Sequence, residues 1–399
     1  MLVRRIIHPV GFGAFCTEQF WSRDRNVVLN VVYDCGSMSL DTESLQQEIE
    51  NTEGLDRGID LLFISHFHDD HINGIRNILL KEEQTYIRYG KTHVILPLLS
   101  QHYIYEKLRT DPGYLTNYID FIMGSIADGE HEARYSLSLV NITGEALSEE
   151  VRSITIGEEG ITSDLSSKLS GKIAVRSGRH RVNIWEYIPF NFVSKAEEKQ
   201  FEDEANAKLS HKLSKILDGD LSVEDVDTLK EIYKSIKEIQ HGSKKTDLNK
   251  QSTLLLSRAA HDGLPFVRGW DCYDCYRHGY CCACHNLSCL YTGDSCLTGW
   301  VLGALSRILR SSGVRQCYPL GLLQIPHHGS RNNLNVNLIS MGIAREVFIN
   351  NVRQRMAPKH PQISGSIINA CRECGVPVRI VSEDKKSQLD MVTDIHWDY

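Results

Sequence analysis

The chain has 399 residues, a formal net charge of −7 at neutral pH, and an ordinary balance of 41% apolar and 24% charged residues. That length suffices for one large domain with insertions or for two domains, and the acidity gives no global attraction to nucleic acid or to an anionic membrane, so an anionic substrate has to be drawn by local charge. The opening residues, Met1 to Pro9, hold no apolar run long enough for a secretion signal and no later stretch approaches a membrane span, so the expectation is a cytoplasmic protein with no membrane contact.

Leu2–Ile7 and Asn26–Tyr33 read as an opening pair of strands around a Gly11-Phe12-Gly13 turn. The second strand runs into Asp34-Cys35-Gly36-Ser37, which taken alone is a turn. A helix follows near Thr42–Asn51. Leu61-Leu62-Phe63-Ile64-Ser65 then reads as a short buried strand, and it delivers His66-Phe67-His68-Asp69-Asp70-His71. His66 and His68 stand two apart on an extended segment, leave it on the same side, and can converge on one ion. The chain then turns into a helix with apolar residues at Ile72, Ile75, Leu79 and Leu80 and an acidic first turn, so Asp70 and His71 face a second cation beside the first. The plain alternative is a polar surface loop, but buried strand ends rarely carry so many ionisable groups without a task.

A strand at His93–Leu96 is closed by Pro97. Leu98–Leu108 and Leu115–Ile126 have helical spacing of apolar residues and read as core-facing helices, and Tyr135–Thr155 reads as strands. Lys172–Phe192 alternates like a hairpin and gathers Arg176, Arg179, His180 and Arg181. Such a basic hairpin is usually a solvated edge, with a phosphate-contacting patch as the sharper alternative. Lys195 to about His241 reads as two amphipathic helices with a Ser222-x-x-Asp225 cap between them. Residues 1–97 and 249–399 are thus expected to form two halves of one α/β fold. Residues 98–248 are expected to be a partly helical insertion that covers the site or docks a protein partner or a second copy of the chain.

From Asn249 a polar turn enters a buried strand at Leu254–Leu256, whose natural partner is Leu287–Tyr291. That strand ends in Thr292-Gly293-Asp294-Ser295, before a helix at Leu297–Leu309; alone, Thr-Gly-Asp is a helix N-cap. Between the two strands, within residues 263–289, six of the twelve cysteines crowd between Cys272 and Cys289. Cys272-x-x-Cys275 and Cys281-x-x-Cys284 offer four thiolates at knuckle spacing, suited to one structural zinc, with a reduced loop at a hairpin tip as the alternative. The next strand ends in Pro326-His327-His328-Gly329-Ser330 and, as the expected neighbour of the strand ending at Asp294, would bring its histidine pair to the same place. Glu346–Asn350 leads into Arg353, Arg355 and Lys359, which form a local cationic rim suited, with Ser330, to phosphate oxygens, and into His360, placed before a helix and suited to a last ligand histidine.

The hexad His66-x-His68-x-Asp70-His71 resembles the signature of the metallo-β-lactamase fold superfamily. Together with Asn249-x-x-Ser252, Thr292-Gly293-Asp294, Pro326-His327-His328-Gly329-Ser330 and Lys359-His360-Pro361 in this order, it most resembles the metal-hydrolase domain attached to bacterial competence DNA-uptake channels. The resemblance covers residues 1–97 and 249–399 and leaves the channel out. It implies an α/β fold, the four-layer αββα sandwich, to which the helical insertion and the cysteine hairpin are additions. It implies two divalent ions, zinc or manganese, held by His66, His68, Asp70, His71, a bridging Asp294 and His360, with His328 and Asn249 as candidate further ligands. Asp34 would support a ligand histidine from beneath.

Asn249 stands where superfamily members usually place another histidine. Asparagine is a poorer zinc ligand, which points to a weaker first site, to one completed by His327 or His328, or to a preference for manganese. The implied activity is hydrolysis by a metal-activated water, with Asp70 positioning the water and His328, or else His327, protonating the leaving oxygen. The cationic rim favours a phosphodiesterase or nuclease acting on short or single-stranded nucleic acid or on nucleotides. The alternatives are a hydrolase of carbon esters, thioesters or lactams, and a docking or regulatory subunit of a larger assembly.

Overall fold

The computed structural model describes residues 1–81, 86–88, 90–127, 132–140, 149–157, 160–179, 182–192, 231, 251–260, 288–311, 319–352 and 362–394. Apart from Glu231, the helices expected between Lys195 and His241 lie outside these residues, as do residues 272–284 of the cysteine hairpin, His180 and Arg181.

The N-terminal half opens with three strands, β1 (Leu2–Ile7), β2 (Gly13–Trp21) and β3 (Val27–Ser37), where the sequence reading had two. Helix α1 (Thr42–Glu50) is capped by Asp41, whose carboxylate accepts from the Ser44 amide at 2.8 Å. Then come β4 (Leu61–Phe63), α2 (Asp69–Gly74) and β5 (His93–Pro97). Helices α3 (Gln101–Thr110) and α4 (Pro112–Met123) follow, the latter with proline in its first turn, where no amide donor is missed. The chain continues through β6 (Ser136–Val140), β7 (Val151–Gly157), β8 (Gly160–Ser163), β9 (Lys168–Leu169), β10 (Lys172–Ser177) and β11 (Val182–Phe190). The C-terminal half supplies β12 (Leu254–Ala259), β13 (Cys289–Tyr291), α5 (Gly299–Ser311), β14 (Leu320–Gln324), α6 (Asn337–Ser340), β15 (Ala344–Asn350), α7 (Gly365–Glu373), β16 (Val378–Val381) and β17 (Leu389–Asp394).

Two sheets result, in the orders β17-β1-β2-β3-β4-β5-β6-β9 and β16-β15-β14-β13-β12-β11-β10-β7-β8. Alternation along the strands builds the layers. Val31, Tyr33, Leu61 and Phe63 of the first sheet share a buried core with Trp185, Tyr187 and Leu256 of the second, while Val32 and Leu62 point the other way, onto Leu45, Ile49, Ile72 and Ile119 of α1, α2 and α4. Residues Ala304, Leu305 and Ile308 of α5 and Ile367 of α7 join the core of the second sheet. The αββα sandwich expected from the sequence is the observed architecture. Among the described residues no helix is long and apolar enough to cross a membrane.

Residues 98–192, expected as the first part of an insertion, do supply α3 and α4, but they also supply strands to both sheets. β6 pairs in parallel with β5, and β11 pairs with β12. The basic hairpin is likewise not an edge: β10 is paired on both sides, with β7 and with β11, and Arg176 hydrogen-bonds Asn183 Oδ1 at 3.0 Å.

The functional geometry follows from parallel pairing. β3, β4 and β5 run parallel, as do β13, β14 and β15. The segments that leave β3, β4, β13 and β14 therefore emerge at the same end of their own sheet.

Candidate metal centre

The first sheet contributes the hexad. Burial of β4 anchors it, Leu61, Leu62 and Phe63 being enclosed, at about 1.5–3 kcal/mol for each large apolar side chain. Beyond Ser65 the chain carries His66 and His68, and α2 begins at Asp69, so Asp70 and His71 lie in its first turn. The helix packs against β3 so closely that a Cβ on Gly36 would lie 2.6 Å from the Asp70 carbonyl. Asn73 locks the two together, accepting from the Ser37 amide and donating to its carbonyl.

The second sheet contributes Asp294, His327 and His328. Gly293, with φ of +51°, makes the turn after β13 and sits where a Cβ would strike the Ser65 side chain at 2.7 Å. Gln324, at the end of β14, accepts from the amides of Thr292 and Gly293 and so fixes the approach to Asp294.

Ligand atoms of Asp70, His71, Asp294 and His328 come within 4.8 Å of one another, and those of His66, His68 and Asp70 form a second such group, so Asp70 belongs to both. His71 Nε2 lies 3.2 Å from Asp294 Oδ1 and 3.6 Å from Asp70 Oδ2. His328 Nε2 lies 3.0 Å from Asp70 Oδ2 and 3.7 Å from Asp294 Oδ1. His66 Nε2 is 3.6 Å from Asp294 Oδ2.

The proton inventory tests whether a cation fits. The ring proton of His71 Nδ1 goes to Asp34 Oδ2 at 2.8 Å, and Asp34 is itself held by the Ser65 amide and hydroxyl at 2.7 and 2.6 Å. His328 Nδ1 donates to the Asn350 carbonyl at 2.9 Å. Both rings thus turn Nε2 toward carboxylate oxygens, lone pair against lone pair, a pairing that requires a proton or a metal ion between them. The nitrogens His66 Nε2 and His71 Nε2 are buried without a hydrogen-bond partner. Burial opposes charge on His71, yet Asp70, Asp294 and Asp34 together push it well above the usual imidazole range. That upward push reflects a surplus of negative charge where a divalent ion would sit. Burial, with His71 next to it, holds His66 well below that range. The donor set therefore fits hard or borderline divalent metals.

The remaining sequence candidates divide into four groups. Asp34 lies beneath His71, as described. His327 stands beside the cluster: its Nδ1 meets Asn333 Oδ1 at 2.8 Å, its Nε2 lies 3.7 Å from Asp294 Oδ2, and it is the more exposed of the pair. Ser330 closes the turn with its amide on the His327 carbonyl at 2.9 Å. Asn249, Arg353, Arg355, Lys359, His360, Cys272, Cys275, Cys281 and Cys284 lie outside the described residues. Four contributors had no signal strong enough to be singled out in the sequence: Ser65, Asp111 against His68, Asn350, and Phe12, which stacks on His328 at 3.8 Å between ring centroids.

No protein-family model and no curated protein matches the chain. Solved structures to which it is similar include the metallo-β-lactamase fold protein YhfI from Bacillus subtilis, at 9% identity over 98% of this chain and 99% of that one with a TM-score of 0.40. The metallo hydrolase Igni18 from Ignicoccus hospitalis gives 8%, 98%, 99% and 0.40, and yeast PDE1 gives 12%, 98%, 99% and 0.44. At these similarities the chemistry has to be argued from the site itself.

Proposed function

We propose that this chain is a metal-dependent hydrolase, and that it acts as a phosphodiesterase or nuclease on nucleic acid or nucleotides. The observation that carries the reading is the pair of ligand groups sharing Asp70, with Asp294 and His328 of the second sheet meeting His66, Asp70 and His71 of the first. Two divalent ions, zinc or manganese, would supply an acidified water and would neutralise charge growing on phosphoryl oxygens. His66, His68, Asp70, His71, Asp294 and His328 are the proposed ligands, with His360 and Asn249 as further candidates. Asp34 holds the His71 ring by its Nδ1 proton, and the Asn350 carbonyl holds His328, so both rings keep one orientation through the reaction. Asp70, shared by the groups, is placed to orient the attacking water and take its proton. His327, fixed by Asn333 and open to solvent on one side, is the proton donor to the leaving oxygen. The phosphodiester assignment draws support from the motif order resembling the competence hydrolase domain and from Arg353, Arg355 and Lys359 as a phosphate rim. Cys272, Cys275, Cys281 and Cys284 are proposed to hold one structural zinc.

Metal content by mass spectrometry on protein purified without chelators tests this, with wild type beside Asp70→Ala/His71→Ala and both assayed on a bis-phosphodiester reporter, an aryl ester and labelled single-stranded DNA. About three ions per chain, falling to about one in the double variant with loss of phosphodiester cleavage, is the expected result. An unchanged ion count would overturn the metal assignment. Cleavage of the aryl ester alone would overturn the substrate class.

A further inference from the structure

His68 meets the cluster from its outer side: its side chain is 25% exposed, whereas His66 and His71 are enclosed. Its Nε2 lies 3.2 Å from Asp111 Oδ2. Asp111 is the N-cap of α4, where its other oxygen, Oδ1, accepts from the Tyr114 amide at 3.3 Å. An ionised carboxylate only accepts, so this contact sets a proton on Nε2 and leaves the lone pair of the neutral ring on Nδ1. The same device serves two of the other imidazoles: Asp34 takes the proton of His71 and the Asn350 carbonyl takes that of His328. Lys107 of α3 is buried beneath, its Nζ 4.4 Å from the Tyr114 ring centroid.

We infer, on the reading that this cluster binds divalent ions, that Asp111 is a positioning residue of the metal centre: it receives the Nε2 proton of His68 and so presents Nδ1 to the ion shared with His66 and Asp70. The α3–α4 corner is thereby tied to the metal through one hydrogen bond. This makes a helix cap part of the ligand set's support, with the two carboxylate oxygens divided between the two tasks.

Asp111→Asn separates those tasks. Asparagine caps a helix as well as aspartate does, but with its oxygen on the Tyr114 amide it turns an NH2 group toward His68, which cannot accept a proton from Nε2. Asp111→Ala removes both contacts. Asp69→Asn, at an exposed residue paired with Arg76, is the control. The first readout is the long-range proton–nitrogen spectrum of the imidazoles in chelator-treated protein, with His68→Gln identifying the signal. The second is zinc and manganese affinity by competition with a chromophoric chelator, alongside the thermal midpoint. Wild type and Asp69→Asn should show His68 protonated on Nε2. Asp111→Asn should lose that preference and bind metal about 10–100-fold more weakly, at an unchanged midpoint. Asp111→Asn matching wild type in tautomer and affinity, while wild type binds metal, would overturn the role of Asp111 alone. Wild type that binds neither metal would overturn this inference together with the proposed function.

Discussion

Asp34, His327 and His328 hold left-handed backbone, with φ of +53°, +47° and +54°, and Arg25 is the one other non-glycine residue to do so among the described residues. Each such conformation costs on the order of 1 kcal/mol or more. Three of the four gather at one site, where the turn geometry re-aims a carboxylate and two imidazoles inward. His93 illustrates the opposite case, a histidine buried for structure. Its Nε2 meets Ser138 Oγ at 2.7 Å, and burial pushes its pKa down from 6.5 to about 4. The fold therefore keeps it neutral, while the unfolded chain takes up a proton below pH 6.5. Its contribution is present in full above that pH and is lost as the pH falls from 6.5 toward 4, a window worth about 3 kcal/mol. Urea unfolding at pH 7 and at pH 4 should show wild type losing about that much more stability than His93→Gln. The two kinds of histidine differ in their surroundings: His93 has only a hydroxyl, whereas His71 and His328 each spend the Nδ1 proton on an oxygen, of Asp34 and of the Asn350 carbonyl, and turn Nε2 toward carboxylates.

At the scale of elements, the strand, turn and helix from Leu61 to Leu79 were legible because every relation in them is local. A run of apolar residues, a two-residue alternation and an acidic first helical turn all fall within a short stretch. The ends of β13 and β14 were legible for a different reason, since a buried strand that stops in Thr-Gly-Asp or His-His announces a polar end. Asp111 and Asn350 were not, because an aspartate before Pro112 reads as an ordinary cap and a backbone carbonyl has no residue-type signal at all. The strand β2 was missed because Thr17, Glu18 and Gln19 make it look solvated, although all three are buried. The packing of α2 on β3 depends on the absence of one side chain. Gly36→Ala places a methyl 2.6 Å from the Asp70 carbonyl, and should cost about 1–3 kcal/mol by forcing the helix outward. Equilibrium unfolding would measure that cost, and a parallel metal count should show weaker retention, since Asp70 and His71 move with the helix.

For the molecule as a whole, what made β2 illegible also joins the two sheets. Glu18 accepts from Arg5 at 2.7 Å within the first sheet, and from Tyr187, Ser257 and Tyr291 of the second at 2.8, 2.7 and 2.8 Å. Trp185 donates to the same Ser257 hydroxyl at 2.8 Å. Burial resists the charge of Glu18, but Arg5 and these hydroxyls hold its carboxyl below the usual range. Glu18→Gln would take from the enclosed Arg5 cation the carboxylate it meets at 2.7 Å and should destabilise the fold by about 3–5 kcal/mol, read as a lower urea midpoint. Glu18→Gln with Arg5→Met should recover much of the loss, because an apolar replacement of the pair leaves no buried charge behind. The sandwich is also divided in its ligands: Asp70 meets His328 across 258 positions of chain. Contacts at such separation form late in folding, after local structure and after the long intervening loop has closed. A growing polypeptide that has reached β6 already carries His66, His68, Asp70 and His71 but neither Asp294 nor His328. If these residues hold ions as proposed, the hexad of that interval would be an open and undiscriminating chelator, and the choice between one ion and another would begin only when the second sheet arrives.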